Sequence, residues 1–413
     1  MSEDKEPEMQ TTMYSEWGKN SNVIPTSADQ FHQMALNIRR VLREKQDEHN
    51  KLGTYALGLH EWFLKQGFYR LLQPKKYGGF EFSFSEYYRI MLAISEGHPS
   101  LGWGLTLGAS HVFLIASHWP ESVQNELLNG NEQFIAAHKA FPAGTCKRVS
   151  QGYIVDGIFS YCSGITYASH VILSVMCDSQ YPINCIIPKQ DFEILNDWGE
   201  QRTLGMWASG SNSIRLNSVF VPERMVSPFR AFYADQNVDH GTEGTRVHNN
   251  SMYLGYLMAP YHANLLVPII GASKAALEEF RKYEKPGDIN EMMFIRALGL
   301  ATLLSDSAEA ILFNVFDKYS SFCQRWEEHR LPMTVDENLR LWGLLQQAGR
   351  LASESIDTLF RNAGSSAALK GSRLLQYFND TQMYRGHVGS QWEQLSLYVG
   401  RSILNRKISF LDL

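Results

Sequence analysis

Two short segments combine glycine with hydroxyl-bearing residues: CSGIT at 162–166 and WASGS at 207–211. A planar heteroaromatic ligand needs small residues where the backbone approaches its face, and hydroxyl or N–H groups along its polar edge. Both segments offer this mixture. Taken alone, the same composition is also that of ordinary turns between strands. The candidate ligand contacts in the two segments are Ser163, Trp207, Ser209 and Ser211.

A late histidine, His387 in YRGHV, is the second candidate for chemistry. Histidine titrates with a pKa of about 6.5 and can therefore donate or accept a proton at cellular pH. The alternative for such a residue is a structural one, in which it caps a helix end or packs against the body of the protein. The sequence has no GxGxxG segment after a strand and no P-loop, so it lacks a strong phosphate-binding signature.

The overall composition favours a small, weakly charged molecule as the partner. Of 413 residues, 44% are hydrophobic and 12% aromatic, which is enough for a large core. Lys and Arg total 38 against 43 Asp and Glu, for a formal net charge of -5. Because no basic field results, we expect neither nucleic acid nor a membrane as the partner.

The five cysteines are odd in number and show no CxxC spacing, so neither a metal site nor a disulfide framework is expected. The first twenty or so residues are polar and acidic and lack the apolar stretch of a signal peptide. No later apolar run is expected to approach the ~20 residues of a membrane-spanning helix. The sequence therefore predicts a cytoplasmic protein.

The elements that must position the candidates change character twice along the chain. Helical spacing of apolar residues predicts a helical domain at 26–131, after a flexible tail at 1–25. Short β-branched runs predict a β-domain at 132–230, and long segments rich in Ala, Leu and Glu predict a helical bundle with a C-terminal tail helix at 251–413. A connecting loop at 231–250 includes a polar stretch, 235–248, that could act as a lid.

Four segments in this order resemble the acyl-CoA dehydrogenase superfamily. They are LLQPKKYGGFEF (71–82), GYIVDGIFSYCSGITYASHVIL (152–173), GMWASGSNSIRLNSVFVPERMV (205–226) and RNAGSSAALKGSRLLQYFNDTQMYRGH (361–387). The second and third resemble the family segments that pass the flavin, and the fourth resembles the late helix and loop that touch it. The resemblance implies an α+β, mainly α fold: an N-terminal helical domain, a middle β-domain and a C-terminal four-helix bundle.

The resemblance fails at the catalytic base of a dehydrogenase. Such an enzyme removes a proton next to a thioester with a carboxylate, commonly the Glu of a Tyr-Glu-Gly-Thr-Ser-like motif. The matching segment here is 387–391, with Val388 in the position of the base, and valine cannot accept a proton. Some relatives carry the base on the first helix of the bundle, but residues 251–277 contain no Asp or Glu.

Another branch of the superfamily, similar to 4-hydroxyphenylacetate hydroxylase and dibenzothiophene monooxygenase, uses the flavin differently. Its members are oxygenase components of two-component monooxygenases. Resemblance to them implies reduced FMN (or FADH2) and O2, a separate NAD(P)H:flavin reductase, and a C4a-hydroperoxide that hydroxylates an aromatic ring or oxidises a heteroatom of a hydrophobic substrate. It also implies that Ser163 bonds near the flavin's reactive nitrogen and that His387 steadies the hydroperoxide or manages the substrate's proton.

The same resemblance implies further site residues. Trp103 and His111 lie where aromatic hydroxylases of this branch place substrate contacts, and His138, Tyr161 and His262 are further candidates for the substrate pocket. Tyr161 and Ser163 would share one face if both lay in a strand. The candidates for holding the flavin's phosphate are Arg281, Arg361, Gly364, Ser365 and Ser366.

Two alternatives remain open on the sequence alone. One is an acyl-CoA dehydrogenase whose catalytic base has moved, and the other is a non-catalytic scaffold of the same fold. A homotetramer is expected by analogy, because the C-terminal segment LSLYVGRSILNRKISFLDL is apolar to its last residues and suits an interface.

Overall fold

The computed structural model describes residues 24–130, 132–178, 181–228, 240–284, 287, 289–406 and 408. Seven helices precede the sheet, and the first begins at a capping box in which Ser27 accepts from the Gln30 backbone N–H. These helices are α1 (Ala28–Glu44), α2 (Gln46–Leu52), α3 (Leu57–Gln66), α4 (Phe84–Gly97), α5 (Pro99–Ser110), α6 (Val112–His118) and α7 (Glu121–Leu128). Most of the predicted N-terminal tail lies outside the described residues.

The middle of the chain forms one mainly antiparallel sheet of eight strands, in the order β6-β7-β3-β2-β4-β5-β8, with β1 pairing in parallel with β4. Strand β3 carries a bulge between Val155 and Gly157 opposite β7. The strands are β1 (Ala136–Lys139), β2 (Thr145–Val149), β3 (Gly152–Phe159), β4 (His170–Cys177), β5 (Tyr181–Pro188), β6 (Glu193–Ile194), β7 (Ile214–Pro222) and β8 (Val226–Pro228).

Six further helices follow the sheet. They are α8 (Glu243–His248), α9 (Met258–Phe280), α10 (Glu291–His329), α11 (Val335–Asn362), α12 (Arg373–Arg385) and α13 (Trp392–Ile403). Helix α8 falls within the segment predicted as a connecting loop, and the first part of the predicted lid lies outside the described residues. The mainly helical fold around a β-domain is confirmed, while the exact domain boundaries stay a prediction.

Helix α5 joins the helical and sheet parts of the molecule, and all twelve of its residues are buried. A methyl group on Gly104 would lie 2.6 Å from the Ser209 carbonyl oxygen. One on Gly164, whose φ is +78°, would lie 2.7 Å from the Gly104 carbonyl oxygen. The backbone of α5 therefore lies directly against both Ser-Gly segments, which only glycine at these positions permits.

The expectation about apolar runs was wrong. Two of the described helical stretches are long and apolar enough, by length and composition, to cross a membrane: Pro99–His118 and Glu291–His329. The first is wholly buried inside the protein, so its apolar composition serves the core. The most apolar window of the second is only 28% buried. Its exposed apolar residues include Met292, Met293, Leu300 and Leu303.

Candidate active site

One cavity brings together both predicted catalytic residues and all five predicted substrate residues. It lies between α5, the end of β1, the loop after β3, the start of α9 and the loop after α12, and its volume is about 120 Å³. Its lining residues are Trp103, Leu107, His111, His138, Lys139, Ala140, Phe141, Tyr161, Ser163, Met258, Tyr261, His262, Leu265, His387, Val388 and Gly389. No Asp or Glu is among these described residues, and Val388 lines the cavity where a dehydrogenase would carry its catalytic Glu.

The two Ser-Gly segments meet through their hydroxyl groups beside this cavity. Trp103 Nε1 donates to Ser163 Oγ at 3.0 Å, and Ser163 Oγ lies 2.8 Å from Ser211 Oγ. Ser211 Oγ in turn lies 2.7 Å from Ser209 Oγ, which bonds the Met206 carbonyl oxygen at 2.8 Å. Ser163 lines the cavity, whereas Ser209 and Ser211 lie behind it and are buried.

His387 begins the short turn after α12, where the Gly389 backbone N–H donates to its Nδ1 at 2.9 Å. Since Nδ1 accepts, the neutral ring carries its hydrogen on Nε2. Burial, and then the charge of Lys139, lowers the pKa of His387 to about 4, so the ring is neutral at pH 7. Its ring meets that of Trp103 edge-on, with centroids 5.8 Å apart. His387 is therefore a neutral N–H donor at the cavity.

His111 has the opposite hydrogen arrangement. Its Nδ1 lies 2.7 Å from the Ala136 carbonyl oxygen, and a carbonyl can only accept, so Nδ1 carries the hydrogen and Nε2 is left as an acceptor. Burial lowers the pKa of His111 to about 4. The neighbouring His138 bonds the Tyr261 hydroxyl through Nδ1 at 3.0 Å. Burial, and then His111, holds the pKa of His138 well below its usual value.

His262 lies on the first turn of α9 and stacks on Trp342, with ring centroids 4.5 Å apart. Both of its ring nitrogens are shielded from solvent and have no hydrogen-bond partner in the described part of the chain. Burial, and then His387, lowers the pKa of His262 to about 3. Unpartnered buried nitrogens on a cavity-lining side chain are typical of a site that a ligand completes.

Tyr161 lines the cavity for a different reason from the one predicted. Strand β3 ends at Phe159, and Tyr161 lies in the following loop with φ at +62°, so strand alternation does not relate it to Ser163. The side chain is 62% exposed and contacts Trp198 edge-on. A left-handed conformation at a large aromatic residue is uncommon and often marks a functional site.

The predicted phosphate contacts are not brought to this cavity. Arg281 follows the end of α9, about 28 Å beyond His262 at ~1.5 Å per residue, a distance too long for the phosphate of FMN bound in the same chain's cavity. Arg361 lies in the last turn of α11 and the segment 364–366 follows that helix, and all of these residues are exposed. Trp207 also lies outside the lining, and its indole N–H donates to the Thr203 carbonyl oxygen at 2.8 Å. The roles of these residues stay predictions.

Sequence reasoning missed two polar lining residues, Lys139 and Tyr261. Each directly follows or precedes a predicted histidine: Lys139 comes after His138 at the end of β1, and Tyr261 comes before His262 on α9. Lys139 is the one Lys or Arg among the described lining residues. Its position at a strand end, where alternation stops, explains how two consecutive residues reach one cavity.

Comparisons with known proteins agree with this geometry, although no family model matches the chain. The chain is 24% identical over 375 residues to the oxygenase component of p-hydroxyphenylacetate 3-hydroxylase from Acinetobacter baumannii, covering 88% of this chain and 84% of that protein. Its fold matches 3-HSA hydroxylase from Rhodococcus sp. RHA1 with a TM-score of 0.83, at 21% identity over 92% and 97% of the two chains. XiaF from Streptomyces sp., solved with FADH2 and glycerol, gives a TM-score of 0.79 at 19% identity, covering 92% and 96% of the chains.

The chain has the acyl-CoA dehydrogenase-like fold, and the described lining of its cavity contains no carboxylate. Over most of its length the chain is similar to the oxygenase components of two-component flavin-dependent monooxygenases. Members of this family use a reduced flavin. A separate flavin reductase is their partner, because an oxygenase component receives its flavin already reduced.

Proposed function

We propose that the cavity holds the reacting end of reduced FMN, with FADH2 as the alternative, beside a hydrophobic aromatic or heteroatom-containing substrate. One oxygen atom of O2 enters the substrate, the other leaves as water, and the reduced flavin supplies the two electrons and is oxidised. The observation that carries the proposal is a cavity of neutral donors and acceptors without a carboxylate. A charged base is not needed for this chemistry, and an apolar, shielded site suits it.

The residues present fit a flavin ring. Ser163 offers an oxygen at the wall formed by Trp103. His262 contributes two nitrogens that have no partner among the described residues. We propose Ser163 as the contact to the ring's reactive nitrogen and Lys139 as the residue that balances the flavin's negative charge.

His387 and His111 carry their ring hydrogens on opposite nitrogens and therefore have different roles in the cavity. His387 holds a hydrogen at Nε2 and donates it toward oxygen, where the developing charge needs a donor. His111 accepts at Nε2 and orients a hydroxyl or N–H group of the substrate. Leu107, Phe141 and Leu265 exclude water from the same space. His387 therefore acts as a donor, which narrows the two roles that the sequence left open for it.

We also propose a cytoplasmic homotetramer. The exposed apolar residues of α10 form a surface that a second copy can cover, which explains why a 39-residue helix has so little of its apolar window buried. Light scattering of the purified protein tests this, and a monomer contradicts it.

Coupled turnover tests the function. The protein is mixed with an NAD(P)H:flavin reductase, FMN or FAD, a panel of phenols, indoles and sulfur heterocycles, and isotopically heavy O2. We expect a product that carries one heavy oxygen atom, formed only when both reductase and oxygenase are present. Anaerobic bleaching of bound flavin by an acyl-CoA would instead support the relocated-base dehydrogenase. Failure to bind any flavin would support the scaffold.

A further inference from the structure

The hydroxyl chain beside the cavity has two chemically different ends. Trp103 supplies an indole N–H, which can only donate, to Ser163 Oγ. At the other end, Ser209 Oγ meets the Met206 carbonyl oxygen, which can only accept. Ser211 lies between, 2.8 Å from Ser163 and 2.7 Å from Ser209. The ends decide how the three hydroxyl hydrogens are arranged between them.

One direction satisfies every hydroxyl hydrogen. Ser209 donates to Met206, Ser211 donates to Ser209, and Ser163 donates to Ser211, which leaves one lone pair of Ser163 open toward the cavity. In the reverse direction Ser209 donates to Ser211 and Ser211 donates to Ser163. The Ser163 hydrogen then has no acceptor among the described residues, and the Met206 carbonyl oxygen loses its hydrogen bond from Ser209. The forward direction therefore contains one more hydrogen bond when no ligand is present.

We propose that this chain makes Ser163 a hydrogen-bond acceptor and so selects reduced over oxidised flavin. The proposal rests on the proposed function, in which Ser163 contacts the flavin's reactive nitrogen. That nitrogen carries a hydrogen in reduced flavin and a bare lone pair in oxidised flavin. Reduced flavin donates to Ser163 without disturbing the chain, whereas oxidised flavin needs a donor and must reverse it. Ser209 and Ser211 are then positioning residues.

The selection is measured as the ratio of dissociation constants for oxidised and reduced FMN, determined anaerobically by titration of the whole protein. Ser211→Ala frees the Ser163 hydroxyl to rotate, because the acceptor that holds its hydrogen is gone. We expect the ratio to fall by about three- to tenfold, the equivalent of one net hydrogen bond, mainly through tighter binding of oxidised FMN. The midpoint potential of bound FMN shifts downward correspondingly.

The chain offers a matched control. Ser305 Oγ lies 2.7 Å from Ser273 Oγ, which bonds the Ile270 carbonyl oxygen at 2.8 Å, between α9 and α10 and outside the cavity. Ser305→Ala removes the same kind of buried serine pair and should leave the ratio unchanged. Ser211→Thr keeps a hydroxyl and should restore the wild-type ratio.

The outcomes separate this proposal from the function it rests on. If the wild-type protein binds neither form of FMN or FAD, the proposed function fails. If it binds flavin but Ser211→Ala and Ser209→Ala both keep the wild-type ratio, the selection by the hydroxyl chain is wrong. Ser209→Ala serves as the second variant because it removes the acceptor of the Ser211 hydrogen, so the chain reverses without loss. Circular dichroism melting confirms that each variant is folded.

Discussion

The cavity has two walls, which differ in how many of their hydrogen-bonding groups find a partner within the protein. The serine wall comprises Trp103, Ser163, Ser209 and Ser211, and its hydroxyls bond one another in sequence. The histidine wall comprises His111, His138, His262 and His387, and it includes two nitrogens of His262 with no partner. Every hydroxyl hydrogen of the serine wall has an acceptor before a ligand arrives, whereas the two His262 nitrogens of the histidine wall have no partner among the described residues.

The two walls also change the free energy of unfolding in opposite directions as the pH rises. Burial lowers the pKa of His111 and His387 to about 4 and that of His262 to about 3. The unfolded chain then binds more protons between about pH 4 and 6.5, so these groups stabilise the fold increasingly as pH rises. Behind the serine wall, burial raises the pKa of Asp380 to about 7. The folded chain holds that proton longer, so stability falls as pH rises from about 4 to 7.

Removing the donor of the histidine wall should have the largest effect. In His387→Ala, product formation should fall by about a hundredfold or more, since the Nε2 hydrogen is lost. Consumption of NAD(P)H and O2 should continue, so the fraction of electrons that reach product is the measurement. His329→Ala, an exposed histidine at the end of α10, is the control. Product and electron consumption falling in equal proportion in His387→Ala would contradict a donor role.

Replacing Asp380 with a residue that cannot ionise should remove the loss of stability that accompanies its ionisation as the pH rises. Asp380 accepts from the Met206 backbone N–H at 2.6 Å, and the amide oxygen of an asparagine at this position would keep that bond without ionising. We expect Asp380→Asn to exceed the wild-type free energy of unfolding already at pH 5, and this excess to grow by about 2.5 kcal/mol between pH 5 and pH 8, because the unfolded wild-type chain has lost the proton that the folded chain keeps up to about pH 7. Urea unfolding at the two pH values measures this. Equal differences at both pH values would show that Asp380 does not titrate in this range.

Removing the acceptor of the histidine wall should have a smaller effect on turnover. His111→Phe keeps a ring of similar shape but cannot accept from a substrate hydroxyl. The KM for a phenolic substrate should rise by about tenfold, with little change in affinity for reduced FMN. An aromatic substrate without a hydroxyl or N–H group is the internal control, and its KM should not change. A rise for both substrates would point to packing instead.

The smallest effect is expected at the unpartnered histidine. His262→Phe preserves the stack on Trp342 and removes two buried nitrogens without partners. The free energy of unfolding at pH 7 should be unchanged or higher by about 1 kcal/mol, and its loss between pH 7 and 5 should become shallower. A clearly less stable variant at pH 7 would show that a partner within the protein exists. The dissociation constant of the flavin, measured in parallel, shows how much the nitrogens of His262 contribute to flavin binding.

The sequence predicted the residues that line the cavity better than it predicted which residues would hold the flavin's phosphate. Ser163 and His387 were found because short motifs fix them locally, and the base position at Val388 could be compared directly. Arg281 lies far from the cavity because most of α9, a helix of 23 residues, separates it from His262, and its role at the phosphate stays a prediction. Such distances depend on how whole elements pack.

Tyr161 and Lys139 show the same limit on a smaller scale. The end of β3 at Phe159 could not be read from alternation, so the reason given for Tyr161 was wrong although its location was correct. Lys139 carried no motif and was missed. Strand ends depend on which neighbour stops donating hydrogen bonds, and a single sequence does not contain that information.

The contact of Gly104 with Gly164 and with Ser209 has a consequence for altering this enzyme. Main-chain atoms fix the serine wall, so its geometry does not depend on which side chains fill the rest of the cavity. Leu107, Phe141 and Leu265 can then be exchanged to admit other substrates without displacing Ser163. Evolution toward new substrates in this fold can proceed through these three side chains, and a directed library should be confined to them.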